Sequence, residues 1–311
     1  MRLRPFVARD FPALVRGLER LPWQAYLGQA KNVHVSVTCH QSRLYHSDAV
    51  AERVFAVAAG GLNRPLVNVA RKDAEQSVFV RILDDRVQVS VDASGALLFR
   101  RGDKQQVGRA PLRETLGAGL VRTLGEAERI WDPFCGSGTL LLEWLLARQR
   151  RAPGARRTFA FEQWPAFRSR QEQWQVRKAQ ASQRSADVPS EVIAWGDDTD
   201  AHDLAAAREN LGQAGLSSAV KLAQLDFEKM AEKVPPRTAI ISNPPYGARL
   251  ESARVPELYE RFDRLLLRRV DLRPAVIITG YLPYRTHSRL PWRAELRTKV
   301  GGISAEVLRL A

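Results

Sequence analysis

From residue 129 to residue 311, short apolar runs alternate with longer segments whose apolar residues recur at helical spacing. Such alternation is typical of a parallel sheet that helices cover on both faces. The apolar runs predict strands at residues 129–134, 191–196, 220–225, 238–242 and 275–279. The intervals predict helices at residues 137–149, 201–213 and 255–269, and residues 293–300 and 306–310 predict a terminal antiparallel hairpin. The predicted fold is α/β, with a mostly parallel, Rossmann-like sheet.

The first hundred residues follow another pattern, which predicts a smaller α+β domain at residues 1–100. Apolar positions recur at helical spacing in residues 11–21 and 49–59, and strands are predicted at residues 33–37, 78–83, 86–91 and 96–99. Residues 101–110 are polar and contain glycine, so they are predicted to be a linker. A helix from Pro111 to Leu124 then opens the second domain, at residues 111–311.

Residues 148–190 interrupt the alternation of strand and helix. They begin with five arginines, at positions 148, 150, 151, 156 and 157, followed by a stretch with Trp and Phe residues and then a stretch rich in Gln, Arg and Ser. Two interpretations stay open from the sequence. The segment is either an insertion that reaches toward RNA or a solvated helical hairpin.

A glycine-containing turn follows the first strand of the α/β part. Asp132 ends an apolar strand, and Gly136 and Gly138 precede the next helix. Glycine lets the backbone turn sharply and approach a ligand, and ligands of open α/β sheets bind at the carboxyl ends of strands. The spacing is not that of a dinucleotide or P-loop motif. The turn is therefore predicted to hold a nucleoside cofactor, through Asp132, Pro133, Cys135, Gly136, Gly138 and Thr139.

Acidic residues follow the next two strands. Asp198 is predicted to accept hydrogen bonds from the ribose hydroxyls of a nucleoside, and Asp197 competes for that role. Asp200 is instead expected to cap the following helix. Asp226 follows the third strand, where its carboxylate could accept from an adenine amine while Phe227 covers the base. A plain turn aspartate is the alternative at that position.

Asn243-Pro244-Pro245-Tyr246 follows the fourth strand. Two prolines fix the backbone and remove two donors, so that nearby carbonyl groups are left to accept. The Asn243 side chain and the Pro244 carbonyl could each accept one hydrogen of a planar amino group, and Tyr246 could stack on its base. This arrangement would aim the nitrogen lone pair at a methyl donor, by positioning and electrostatics. The four residues are the predicted catalytic residues, and Asn243 is also predicted to contact the cofactor.

The charge of the chain indicates a polyanionic partner. With 48 basic and 34 acidic residues, the net charge is +14, which favours association with nucleic acid. The histidines and the two cysteines lack the spacing of a metal site, so no metal is predicted. The two cysteines fit a reduced cytoplasm, and no apolar run approaches the roughly 18 residues of a membrane span.

Five stretches together resemble the catalytic domain of bacterial THUMP-type ribosomal RNA guanine-N2 methyltransferases. They are residues 110–116, 132–142, 161–167, 196–200 together with 206–210, and 242–247, and the Glu162-Gln163-Trp164-Pro165 piece is particular to that group. The resemblance implies a class I methyltransferase that uses S-adenosylmethionine (SAM). It places Asp132, Gly136 and Gly138 at the methionine end, Asp198 at the ribose and Asp226 at the adenine. It places residues 243–246 at the target guanine.

Residues 22–110 are similar to the family's RNA-binding THUMP half. Candidate RNA contacts are Ser42, Arg43, Tyr45, Arg101 and Lys104. The chain is expected to begin partway through that module. The function expected is N2-methylation of a guanine in RNA, most of all 23S ribosomal RNA. Transfer RNA, adenine-N6 or glutamine-N5 methylation and an inactive RNA-binding homologue are the alternatives.

Overall fold

The structure is a computed structural model that describes residues 1–104, 106, 112–246 and 252–311. Its contacts divide the chain into two compact units. The first unit comprises Met1–Leu98 and Arg157–Ala179, and the second comprises Phe99–Arg156 and Gln180–Ala311. Part of the predicted linker at 101–110 lies outside the described residues. Pro111, where a helix is predicted to begin, and Gly247 also lie outside them.

The described residues form two sheets, one in each unit. The first unit contains a five-stranded sheet of order β1-β5-β4-β2-β3. Its strands are β1 (Phe6–Val7), β2 (Asn32–His40), β3 (Val67–Asn68), β4 (Gln76–Leu83) and β5 (Arg86–Val91). The second unit contains a seven-stranded sheet. Its strands are β6 (Ile130–Asp132), β7 (Ala194–Asp198), β8 (Val220–Gln224), β9 (Ala239–Ser242), β10 (Ala275–Thr279), β11 (Arg293–Val300) and β12 (Ile303–Leu310).

Helices pack on both sheets. The first three are α1 (Phe11–Glu19), α2 (Trp23–Leu27) and α3 (Ser47–Leu62). The others are α4 (Glu114–Leu124), α5 (Thr139–Arg148), α6 (Gln171–Gln183), α7 (Ala201–Gln213), α8 (Phe227–Ala231), α9 (Val255–Arg268) and α10 (Tyr284–His287). Among the described residues, no helix combines the length and the apolar character that crossing a bilayer requires.

The large sheet confirms the predicted fold class. Its strand order is β11-β12-β10-β9-β6-β7-β8. Strands β8, β7, β6, β9 and β10 run parallel, and β12 joins antiparallel to β10 and β11. One apolar cluster, around α5, lies on one face, and a second, around α9, lies on the other. The inner parallel strands β6, β9 and β10 are buried on both faces, which explains why their sequences are nearly continuous apolar runs, whereas the edge strand β8 is only half-buried.

One predicted strand of the first unit is wrong. Residues 96–99 form turns rather than a strand. The Arg157 guanidinium donates hydrogen bonds to the carbonyl oxygens of Ser94, Ala96 and Leu97. Since an arginine side chain binds these carbonyls, they are not part of a strand ladder.

The segment between β6 and β7 contributes to the first unit. Residues 157–179, which the sequence prediction includes in the domain 111–311, cluster with residues 1–98. Trp164 lies in the core of this unit, where only 8% of it is exposed, and its Nε1 donates to Gln76 Oε1 at 3.0 Å. Phe161 and Phe167 pack beside it. Trp164 and its neighbours therefore pack rather than project, and α6 is a single helix rather than a hairpin.

We predict that Trp164→Ala destabilises the first unit by about 3–5 kcal/mol, because it opens a cavity and removes the donor to Gln76. The free energy of unfolding in urea, followed by circular dichroism, measures this. Val176→Ala is the control, since Val176 is 50% exposed on α6 and its truncation should change stability by less than about 0.5 kcal/mol. Equal effects of the two changes would contradict this packing role.

Candidate functional site

A cavity of about 710 Å³ lies at the carboxyl ends of the parallel strands of the second unit. This volume is within the range of cofactor and small-molecule sites. Its described lining is strongly acidic, with six carboxylates and two guanidinium groups: Asp132, Asp198, Asp200, Asp203, Asp226 and Glu257, and Arg254 and Arg261. The surplus of carboxylates favours a ligand that carries positive charge.

The turn between β6 and α5 forms one wall of the cavity. Pro133, Cys135, Gly136 and Thr139 line it, in agreement with the sequence prediction. Gly136 has a φ of 50°, a left-handed conformation that glycine adopts without strain. Gly138 differs from the prediction, because it is not among the lining residues. A Cβ at this position would lie 3.1 Å from the Cβ of Ala207, so Gly138 allows α5 and α7 to pack closely.

Asp132 joins β6 to the neighbouring strand β9. It is 1% exposed, and its Oδ1 accepts hydrogen bonds from Ser242 Oγ at 2.5 Å and from the backbone N–H of Phe134 at 3.2 Å. Burial raises the pKa of Asp132 to about 7, against the opposing effect of these hydrogen bonds. The carboxyl group is therefore poised to lose its proton when a cation binds beside it.

Asp198 and Asp197 lie in different environments. Asp198 lines the cavity, and its two oxygens accept from the backbone N–H groups of Gly136 and Asp200. Asp197 is absent from the described lining and is fully buried, with its Oδ1 accepting from Trp131 Nε1 at 2.6 Å. Burial raises the pKa of Asp197 to about 9, so this side chain is largely neutral at pH 7. The geometry does not support Asp197 as a cofactor ligand.

The expected helix cap is present. Asp200 precedes α7, and its Oδ1 accepts from the backbone N–H groups of His202 and Asp203. Asp200 thus stabilises the first turn of that helix while one side of the residue faces the cavity.

Asp226 is held by an arginine that the sequence analysis missed. Arg261 Nη2 donates to both Asp226 oxygens at 2.9 and 2.8 Å, and Asp226 Oδ1 also accepts from the N–H of Glu228. An ionised carboxylate has about four acceptor positions, so about one remains on Oδ2. Arg261 also covers the ring of Phe227 at 4.9 Å. Arg261 is 35 positions from Asp226, so no local spacing could have indicated the pair.

The loop after β9 contributes Asn243 and Pro245 to the lining. Asn243 is 8% exposed, and its side-chain oxygen has no hydrogen-bond partner among the described residues. An unpartnered buried carbonyl is costly unless a ligand supplies a donor. Asn243 is therefore a candidate acceptor for a bound amino group.

Tyr246 is not placed for the predicted base stacking. It is 5% exposed, and neither Tyr246 nor Pro244 is among the described lining residues. Its ring lies so close to Gly280 that a Cβ there would be 2.5 Å from Tyr246 Cδ2. Tyr246 packs against Gly280 at the end of β10 and so fixes the loop that follows β9.

Two predicted RNA contacts point inward in the second unit. Arg101 Nη1 donates to Glu143 Oε2 at 2.8 Å, and the Arg101 side chain is 16% exposed. Lys104 Nζ donates to Thr139 Oγ1 at 2.6 Å, and burial lowers the pKa of Lys104. Both side chains bind residues of α5, and this geometry does not support the predicted contact with RNA.

Of the three predicted RNA contacts in the first unit, one binds within the protein and two are exposed. Ser42 Oγ donates to Asp85 Oδ1 at 2.8 Å, so this hydroxyl orders the loop. Arg43 is exposed and Tyr45 is 67% exposed, with its ring 4.0 Å from that of His46. Arg43 and Tyr45 stay candidates for RNA contact.

Comparisons with known proteins agree on the class of protein. The family model described as RMKL-like, methyltransferase domain (UPF0020) matches residues 101–287. The chain is 31% identical over 260 residues to the ribosomal RNA large subunit methyltransferase K/L of Psychromonas ingrahamii. That alignment covers 81% of this chain but 34% of the relative, so the chain spans about a third of that protein's length.

Two further proteins align over nearly the whole chain. One is slr0064 of Synechocystis sp., provisionally named an RNA methyltransferase, with 29% identity over 99% of this chain and 80% of that protein. The other is the crystal structure of SMU.472, provisionally named a methyltransferase and solved with S-adenosylhomocysteine (SAH). It has a TM-score of 0.80 and 23% identity over 99% of this chain and 82% of that chain, which shows the fold.

We predict that stability falls as pH rises from 4 to 7 because of Asp132. The folded chain holds its pKa near 7 against an ordinary 3.8, so the folded chain binds the extra proton in that window. Asp132→Asn should make this dependence less steep, leaving the contribution of Asp197, and should stabilise the chain at pH 8 by up to about 4 kcal/mol. Urea unfolding at pH 5 and pH 8 tests this, with Asp187→Asn as the exposed control. An unchanged pH dependence in Asp132→Asn would refute it.

Proposed function

The chain belongs to the RMKL-like methyltransferase domain family, UPF0020, and we propose that it is a SAM-dependent RNA methyltransferase that methylates the exocyclic N2 of a guanine. The observation that carries the proposal is the buried Asn243 oxygen at the edge of the acidic cavity, which has no hydrogen-bond partner within the described part of the chain. The family match and the relatives' names support RNA methylation as the reaction.

The acidic lining supports SAM as the ligand of the cavity. SAM carries a sulfonium charge and an ammonium group, and the surplus of carboxylates suits both. We assign the methionine end to the turn that contains Asp132, Gly136 and Thr139. Asp198 would accept from the ribose hydroxyls, and the last acceptor position of Asp226 would receive the adenine amine. Phe227 and Phe134, whose rings are 5.2 Å apart, would border the base.

Bound SAM supplies an electrophilic methyl group. The chain contributes acceptors that position the target nitrogen. We assign one amino hydrogen to Asn243 Oδ1, which borders the cavity, and the other to the carbonyl of the next residue, Pro244, which is outside the described lining. These two acceptors aim the nitrogen lone pair and stabilise the positive charge that develops on nitrogen. The amino group then releases one proton to water.

The RNA substrate is supported by charge and by the relatives. The net charge of +14 favours a polyanion, and the first unit carries the exposed Arg43 and Tyr45. We propose ribosomal RNA of the large subunit as the substrate, since the relatives named for their substrate act on it. The guanine-N2 assignment rests on the resemblance of residues 242–246 to enzymes of that specificity.

We expect purified protein with SAM to form N2-methylguanosine in unmodified 23S ribosomal RNA, detected by nucleoside mass spectrometry. The same measurement separates the alternatives. Product in transfer RNA alone would assign transfer RNA as the substrate. Formation of N6-methyladenosine would assign the N6 atom of adenine as the target. No product in either RNA, with SAM bound, would reject the proposed reaction.

Asn243→Ala should lower kcat by at least about a hundredfold, because it removes an acceptor aimed at the reacting group. SAM affinity and RNA affinity should change little, as measured by calorimetry and by fluorescence anisotropy. Asn68→Ala, at an exposed position on β3, is the control. Turnover near the wild-type rate in Asn243→Ala would show that this side chain does not position the amine.

Substitutions of Asp198 and of Asp197 should have different effects on SAM affinity. Asp198→Ala is expected to weaken SAM binding by roughly ten- to a hundredfold, the loss of charge-assisted hydrogen bonds. Asp197→Asn should leave SAM affinity nearly unchanged, because a neutral amide replaces a largely neutral carboxyl group and can still accept from Trp131. Calorimetric titration with SAM measures both, and the reverse order of effects would assign the ribose to Asp197.

A further inference from the structure

Two arginines from different elements meet on one buried carboxylate in the second unit. Arg285 of α10 donates through Nε to Glu306 Oε2 at 3.2 Å, and Arg297 of β11 donates through Nε to Glu306 Oε1 at 3.0 Å. Glu306 lies on β12 with 8% of its side chain exposed. Glu306 therefore pairs with both guanidinium groups, one through each carboxylate oxygen.

The terminal nitrogens of both arginines are available. Within the part of the chain that the structure describes, Glu306 is the hydrogen-bond and ion-pair partner of each, and the contacts are made through Nε. The side chain of Arg297 is 79% exposed and that of Arg285 is 36% exposed. Each guanidinium thus keeps its pair of Nη groups for an outside acceptor, in the fork geometry that suits phosphate.

The group is not electrically balanced. One carboxylate meets two guanidinium charges, which leaves an excess of one positive charge. A single arginine would be enough to pair with Glu306, and an arginine as exposed as Arg297 adds little stability through an ion pair. Arg293 and Lys299, both exposed on β11, add two positive charges to the same strand, and the exposed Glu295 offsets one of them.

The pair lies close to the proposed methyl-transfer site. Glu306 is directly opposite Thr279 in the β10–β12 ladder, and Gly280, the next residue, contacts the ring of Tyr246. Strand β10 also pairs with β9, whose last residue, Ser242, precedes Asn243. Two strand spacings of about 4.8 Å put Glu306 on the order of 10 Å from the start of the Asn243 loop. The phosphate of a nucleotide whose base enters that loop lies within such a reach.

We propose that Arg285 and Arg297, fixed by Glu306, form a clamp for one backbone phosphate of the RNA beside the target nucleotide. This inference rests on the proposed function and adds where the RNA strand is gripped. The clamp positions the strand without contacting the reacting atoms. Because both forks approach one phosphate, the grip depends on backbone geometry and not on base sequence.

The test is Arg285→Gln/Arg297→Gln, compared with Arg264→Gln/Arg268→Gln. The control removes two arginines that are 61% and 67% exposed and that also form ion pairs, on α9. RNA affinity is measured by fluorescence anisotropy over a range of salt, with the RNA substrate of the wild-type chain. The KM for RNA, kcat at saturating RNA and the Kd for SAM are measured beside it.

The clamp variant should bind RNA roughly ten- to a hundredfold more weakly and raise the KM for RNA by a similar factor. The slope of log affinity against log salt should become shallower by about 1, the loss of one phosphate contact. The kcat at saturating RNA and the Kd for SAM should stay unchanged. Equal loss in the control variant, or an unchanged salt slope, would overturn the clamp and leave a diffuse basic surface.

A triple variant guards against misfolding. Removing both arginines leaves the Glu306 charge buried without a partner, which is destabilising. The variant Glu306→Gln/Arg285→Gln/Arg297→Gln removes that charge as well, and the same affinity loss is expected from it. If wild-type RNA binding is itself absent, the proposed function fails. If wild-type binding is strong and both clamp variants keep it, only the clamp fails.

Discussion

The parallel pairing of β6 with its two neighbours is the constraint on which the rest of the site depends. Strand β6 lies between β9 and β7, with Asp132 level with Gly196 of β7. Parallel pairing brings the carboxyl ends of these strands to one edge, so Asp132, Asp198 and Asn243 meet although they are far apart in sequence. The hydrogen bond from Ser242 to Asp132 joins the two motifs directly. A shift of either strand would separate the acids from the amide.

Charge is distributed in opposite ways over the chain and inside the cavity. The chain as a whole carries +14, whereas the described lining of the cavity has six carboxylates and two guanidinium groups. A basic exterior attracts a polyanion, and an acidic interior attracts a cation, so the two ligands of an RNA methyltransferase need opposite fields. Separating those fields by burial would let one unit bind both of the proposed ligands. The proposed phosphate clamp fits this division, because Arg285 and Arg297 lie outside the described lining of the acidic cavity.

The sequence was sufficient where local pattern decides the structure. Apolar runs predicted the parallel strands, and the residues at their ends predicted a part of the described cavity lining that includes Asp132 and Asn243. The sequence prediction failed where a shift of one residue, or a contact between distant residues, determines the structure. Strand β7 runs from Ala194 to Asp198, later than predicted, and the alternation of faces along it separates Asp197 from Asp198. Trp164 binds Gln76 from 88 positions away, a pairing that no periodicity reports.

Two buried aspartates of the site have raised pKa values, and a bound cation would affect only one of them. Burial raises the pKa of Asp132 to about 7 and that of Asp197 to about 9. Asp197 lies outside the described lining, and its Oδ1 accepts from Trp131, so its burial bears on the fold rather than on a ligand. Asp132 lies at the cavity instead, where a cation would favour its charged form and lower its pKa. Binding of a cation and deprotonation of Asp132 are then linked, so the buried carboxyl group favours a positively charged ligand.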